Sequence, residues 1–141
     1  MLKGIPKILS PELLKILMEM GHADEIVIVD GNFPAAACAK RLVRADGHSA
    51  TEIFDAILKL FPLDTYDTPL YLMEKVMGDK VETPIWDEFR NIADSVYPEA
   101  KIDFIERFEF YERAKNAYAI IATGEKALYG NILMKKGVIK E

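Results

Sequence analysis

The chain has 141 residues, half of them apolar and 29% charged, with 18 Lys and Arg against 23 Asp and Glu for a net charge of −5. That length buries about two-thirds of the surface of the unfolded chain around one core, and the composition excludes a disordered segment. No basic run exceeds the pair Lys135-Lys136 before the C-terminus, so the cationic stripe that nucleic acid requires is missing.

Met1-Leu2-Lys3-Gly4-Ile5-Pro6 lacks the apolar stretch of a secretory signal. The longest apolar runs fall far short of the roughly 20 residues that cross a bilayer, so no membrane partner is expected. The single cysteine, Cys38, forms neither an intrachain disulfide nor a structural zinc site, which points to a reducing, cytoplasmic location.

Ser10-Pro11-Glu12 predicts a helix start, with Ser as the cap, Pro in the first turn and a carboxylate at the positive end of the dipole. Leu13, Leu17 and Met20 fall on one face. Gly21 is suited to end the helix in the left-handed conformation, leaving His22 just outside the last turn. Ile26-Val27-Ile28-Val29 predicts a strand buried on both faces, and Asp30 follows it directly. Ligands of open α/β sheets collect beyond the carboxyl ends of strands, so Asp30 stands where a ligand would.

Ser49-Ala50-Thr51-Glu52 has the spacing of a capping box, and Ile53, Ile57 and Leu60 continue that helix until Pro62. Leu70 to Met73 reads as a short strand. Thr83-Pro84 opens a helix whose apolar side is Ile85, Phe89, Ile92 and Val96, with Pro98 marking its end. Ile102 to Ile105 is a predicted strand and Phe108 to Asn116 a short helix. Tyr118 to Ala122 and Ile132 to Met134 are two further strands around the Thr123-Gly124-Glu125 turn. Without repeats or a linker, residues 1–141 read as one domain. Alternating strands and helices predict an α/β three-layer sandwich, its mixed or mostly parallel sheet covered by helices.

The chain has no phosphate-binding glycine loop, no dinucleotide fingerprint, no His-Glu-x-x-His pair and no nucleophile elbow. With only His22 and His48, neither a cofactor nor a metal is expected. His48 lies in the polar loop Asp46-Gly47-His48-Ser49, where a solvated histidine is the ordinary account.

Taken singly, the remaining candidates have structural explanations. His22 suits the negative end of a helix, Asp30 a turn after a strand, and Arg107 a surface pair with Glu106 or Glu109. Tyr129-Gly130-Asn131 offers the donors and acceptors a sugar requires, yet also suits a turn before the last strand. The aromatics of Arg107-Phe108-Glu109-Phe110-Tyr111 suit a core.

Taken in order, these segments resemble the L-fucose mutarotase family, which is related to the D-ribose pyranases. The resemblance rests on Ser10-Pro11-Glu12-Leu13-Leu14, on Met20 through Ile26, on Asp30 with Asn32-Phe33-Pro34, and on Arg107 through Ala114. It continues in Thr123-Gly124-Glu125, Tyr129 through Leu133 and Lys135-Lys136-Gly137. Gly31, where Ala is usual, and the stretch from about Lys75 to Ala100 depart from the pattern.

The resemblance implies that His22 transfers the proton, that Asp30 and Arg107 bind the sugar, and that Tyr129, Gly130 and Asn131 complete the pocket. It implies a fucose mutarotase rather than a ribose pyranase, which usually carries His at the position of Arg107. A non-catalytic sugar-binding or regulatory module is the alternative of another class. Family members are ring-shaped homo-oligomers, commonly decamers, with the site at a subunit boundary, and Tyr66, Tyr71 and Trp86 are candidate interface aromatics.

Mutarotation removes the anomeric hydroxyl proton, protonates the ring oxygen, and recloses the ring on the other face of the aldehyde. A positioned acid/base contributes about 10²–10⁴-fold, and an imidazole with an ordinary pKa near 6.5 supplies both protonation forms around neutrality. Tyr129 or a water is then expected to make the complementary transfer.

Overall fold

A computed structural model describes residues 1–141. In chain order the elements are α1 (Pro11–Glu19), β1 (Glu25–Val29), α2 (Ala35–Cys38), β2 (Leu42–Ala45), α3 (Ala50–Leu58) and β3 (Leu70–Met73). They are followed by α4 (Pro84–Val96), β4 (Ile102–Ile105), α5 (Arg107–Asn116), β5 (Ala119–Thr123) and β6 (Ile132–Lys135). All six strands join one sheet in the order β2-β5-β1-β6-β3-β4. The pairs β1/β5, β2/β5 and β3/β4 are parallel, and only β6 runs against its neighbours β1 and β3.

The start signals act as read: Ser10 caps α1 through the Leu13 amide, and Ser49 caps α3 through the Glu52 amide. Leu13, Leu17 and Met20 are buried together. Gly21 is not the left-handed residue, however. Helix α1 stops at Glu19, Met20 caps it in an extended conformation, and the positive φ of 69° falls on Ala23.

Two inner faces also shift. Leu60 lies past the end of α3 and is exposed, and Phe61 fills the core in its place. Along α4 the buried side is Ile85, Phe89 and Ala93, while Ile92 is half-buried and Val96 exposed. An every-fourth-residue row is buried there, and within it Phe89 stacks edge-on against Phe54 of α3, with ring centroids 5.5 Å apart.

Both faces of the sheet are covered, as side-chain alternation requires. Ile26, Ile28, Leu70, Leu72, Ile121 and Ile132 pack under α1, α3 and α4. Val27, Val29, Met73, Ile120 and Leu133 pack under α2 and α5. Tyr71 belongs to this second core, with the Arg113 guanidinium 4.2 Å from its ring centroid, and Trp86 packs on Phe104. Of the three expected interface aromatics, only Tyr66 stands exposed.

Antiparallel β6 sets the site. A parallel continuation from β5 needs a crossover, but residues 124–131 instead pass over the carboxyl end of β1 and enter β6 on its far side. The Gly31 amide donates to the Glu125 carbonyl at 2.9 Å and fastens the crossing.

At the opposite end, β6 runs on into Gly137, whose amide donates to the Pro62 carbonyl at 2.8 Å. A Cβ on Gly137 would lie 2.4 Å from the Leu63 carbonyl oxygen. Gly137→Ala is therefore expected to force the 62–64 segment off the sheet and to cost about 1–3 kcal/mol, measured by urea unfolding.

Candidate functional site

The carboxyl ends of β1 and β3, the segment after β4 and the amino end of β6 enclose a cavity of about 210 Å³. It is smaller than the roughly 300–1,000 Å³ of drug-sized sites, as suits a small polar ligand. Asp30, Arg107, Tyr111, Tyr129 and Asn131 line it, with Phe33 as an apolar wall. A larger hollow of about 810 Å³ lies between residues 63–69 and 96–101. It lies at the other end of the sheet, beside the Asp64 that His22 contacts, whereas Asp30, Arg107, Tyr129 and Asn131 meet only at the smaller cavity.

Asp30 is buried, and its own environment explains why. Oδ1 accepts from the Asn32 amide at 3.0 Å, Oδ2 accepts from the Gly130 amide at 3.2 Å, and its backbone amide donates to Asn131 Oδ1 at 2.8 Å. These bonds are the turn-capping role expected of Asp30, and the residue also lines the cavity. These bonds knit the crossing segment to β1, so Gly130 serves through its backbone and Asn131 through its side chain.

Burial raises the Asp30 pKa, against the lowering pull of the Asn32, Gly130 and Phe33 amides. A carboxyl with a raised folded-state pKa contributes stability that is complete in acid and is lost as pH rises through that raised value. The stability of the protein relative to its Asp30→Asn variant is therefore expected to fall from about pH 3.5 to about pH 7. Paired urea titrations at the two values check the sign.

Arg107 makes none of the surface ion pairs open to it: neither Glu106 nor Glu109 binds its side chain. Glu106 instead caps α5 through the Phe108 and Glu109 amides. The Arg107 guanidinium lies 4.4 Å from the centroid of the Phe108 ring, and its Nε is buried without a partner. A buried N–H left unpaired is costly, and Arg107 is one of the residues that line the cavity.

Tyr129 adopts φ 58°, rare for a non-glycine residue. Trp86 Nε1 donates to its carbonyl oxygen at 3.1 Å and helps to hold that conformation.

His22 is not in this cavity. It precedes β1, near the carboxyl end of β6, where the Ala23 amide donates to the Lys136 carbonyl at 2.8 Å. Five strand residues at about 3.3 Å each put it roughly 16 Å or more from Asp30 within one chain. There its Nε2 lies 3.1 Å from Asp64 Oδ1, and its ring stacks edge-on with Tyr66 at 5.4 Å. The helix-end account of His22 gives way to this pairing.

Asp64 is buried, and burial alone would raise its pKa. The Tyr66 amide and His22 outweigh that and hold it below the usual carboxylate range. An ionised acceptor at Nε2 gives neutral His22 its proton on that nitrogen and leaves Nδ1 as the free base. The His22 side chain remains 43% exposed.

Asp64, Tyr111 and Asp79 border these groups without having been singled out from the sequence. The carboxylate of Leu63-Asp64-Thr65, between two prolines and with no helix to cap, was the available signal for Asp64. His48 bonds Glu52 at 3.1 Å on the surface, as a solvated histidine does. No group of three or more His, Cys, Asp or Glu is arranged to hold a metal ion, and no helix is long and apolar enough to cross a membrane.

A family model described as "RbsD / FucU transport protein family" matches residues 3–139. The chain is 50% identical to the fucose mutarotase of Homo sapiens over 145 aligned positions, 98% of this chain and 94% of the human one. It is similar to the crystal structure of the fucose mutarotase in complex with L-fucose from Streptococcus pneumoniae, with TM-score 0.94 and 49% identity over 99% of this chain and all of that one. It is also similar to the crystal structure of FucU from Bifidobacterium longum, with TM-score 0.96 and 55% identity over 98% of this chain and all of that one.

Proposed function

The chain belongs to the RbsD / FucU family, and from that premise we infer that it is a fucose mutarotase. It is an isomerase of the racemase and epimerase class acting on carbohydrates, and it interconverts the α and β anomers of free L-fucose by opening and reclosing the ring. The observation that carries this is the full-length likeness to a fucose mutarotase in complex with L-fucose, joined to a small cavity at the carboxyl end of β1 that combines apolar walls with Asp30, Arg107 and Asn131.

Saturation-transfer NMR tests it. With protein present, saturation of the α-anomeric proton of L-fucose is expected to pass to the β signal faster than in buffer. Fucose binding without faster exchange would assign the protein to the non-catalytic sugar-binding class, and faster exchange confined to D-ribose would assign it to the pyranases.

In this reading the Arg107 guanidinium and the Asp30 carboxyl hold sugar hydroxyls by charge-assisted hydrogen bonds, and Tyr129, Gly130 and Asn131 shape the cavity beside them. His22 moves the proton at the anomeric centre or ring oxygen, through the Nδ1 that Asp64 leaves free.

Because His22 and Arg107 stand at opposite ends of one sheet, a complete site takes its imidazole from a neighbouring copy. The protein therefore works as a homo-oligomer with a head-to-tail contact, which closes into a ring. This is supported by the exposed apolar groups around the cavity mouth, Val76, Phe108 and Leu128, and by the exposed Tyr66 beside His22. The single unpaired Cys38 supports a cytoplasmic setting.

A further inference from the structure

Tyr129 reaches the cavity already engaged. Its hydroxyl donates to Asp79 Oδ2 at 2.6 Å and accepts from the Val76 amide at 3.1 Å. Both partners come from one tight turn, Val76-Met77-Gly78-Asp79, closed by the Asp79 amide on the Val76 carbonyl at 2.9 Å. Gly78 has φ 86°, the value a type II turn demands of its third residue and one that glycine adopts without strain. The other Asp79 oxygen accepts from the Val81 amide at 3.0 Å, so the carboxylate is held at both ends. Val76, Asp79 and Tyr129 all line the cavity.

A phenol has one proton and two lone pairs. Here the proton is committed to a carboxylate and one lone pair to an amide, which leaves one lone pair for a ligand. We propose that Asp79 is a positioning residue of the sugar site, making the Tyr129 hydroxyl an acceptor for a hydroxyl donated by the bound monosaccharide.

This deepens the fucose mutarotase reading and rests on it. It also replaces the expectation that Tyr129 gives up a proton in the reaction, since that proton is already donated to the Asp79 carboxylate. In keeping with this contact, Asp79 raises the Tyr129 pKa. The charged groups acting on the hydroxyl are Asp79 and, in the opposite sense, Arg107.

The test is a double-mutant cycle on fucose exchange with Asp79→Asn, Tyr129→Phe and the double variant. A hydrogen bond to a charged group justifies an expected loss of about tenfold or more for each single change. The double variant should be no slower than the slower single one, because the two residues act as a unit. Asp79→Glu should recover part of the rate. Exchange by Asp79→Asn within about twofold of the parent, or losses that multiply in the double variant, would overturn the proposal.

A second measurement needs no sugar. In protein labelled at tyrosine Cζ, the NMR signal absent from Tyr129→Phe identifies Tyr129, and it should ionise at lower pH in Asp79→Asn than in the parent. An unmoved titration would overturn the proposal even with mutarotation intact. A parent that fails to speed fucose exchange would remove the mutarotase reading and leave this measurement to judge the Asp79–Tyr129 contact alone.

Discussion

His22→Ala is expected to slow protein-catalysed exchange of the fucose anomers by about 10²–10⁴-fold, or roughly 3–5 kcal/mol of barrier, measured by saturation-transfer NMR at saturating fucose. The loss belongs to chemistry rather than to folding. The His22 side chain is 43% exposed and packs only along one edge, against Asp64 and Tyr66. Asp64 keeps its bond from the Tyr66 amide but loses its His22 partner, so unfolding free energy should fall by only about 1–3 kcal/mol.

Asp64→Asn refines the result. It keeps the shape but withdraws the ionised acceptor that fixes the proton on Nε2, so the ring is free to present the wrong nitrogen. A loss smaller than that of His22→Ala, about tenfold or more, is expected. Unaltered exchange in His22→Ala would take the imidazole out of the mechanism.

Mixing two crippled chains is expected to restore activity. His22→Ala and Arg107→Ala should each be nearly inactive as pure proteins, yet co-assembled from equal amounts they should regain exchange at about a quarter of the sites, if subunits mix at random around a head-to-tail ring. His22 lies at the amino end of β1, and Arg107 opens α5 just after the carboxyl end of β4, which runs in the same direction, so the two stand at opposite ends of the sheet. A site built within one chain cannot contain both, so each variant lacks a different half, and some boundaries in the mixture join two intact halves. Co-expression under two affinity tags, with the doubly tagged fraction assayed, reads this directly. Mixed assemblies that stay inactive would show that the imidazole does not come from the neighbouring copy.

Local chemistry was legible along most of the chain. The Ser10-Pro11 and Ser49 starts, the buried runs of β1 and β5, and the strand at 70–73 each follow from caps and side-chain patterns that act within a few residues. Where the reading failed, a distant partner decided. Elements α2 and β2 carry no periodic signal: four residues of Ala-Ala-Ala-Cys and four of Leu-Val-Arg-Ala are too short to show one. Strand β2 exists because the edge of β5 is there to pair with it. Likewise Gly21 seemed the natural place for a positive φ, but the pairing of the Ala23 amide with Lys136 puts the bend at Ala23.

The site divides the same way. The sequence nominated the candidates, since the ordered segments that resemble the fucose mutarotase family contain His22, Asp30, Arg107 and Tyr129-Gly130-Asn131. Which of them meet was decided only by the tertiary structure. The antiparallel return of β6 over β1 brings residues 129–131 onto Asp30 and leaves His22 at the far end of the sheet. Asp64 and Asp79 became visible only there, 42 and 50 residues from the His22 and Tyr129 that they hold. Caps and alternation act over a turn or a strand, whereas pairing a carboxylate with a distant ring depends on strand order, which no short stretch of sequence encodes.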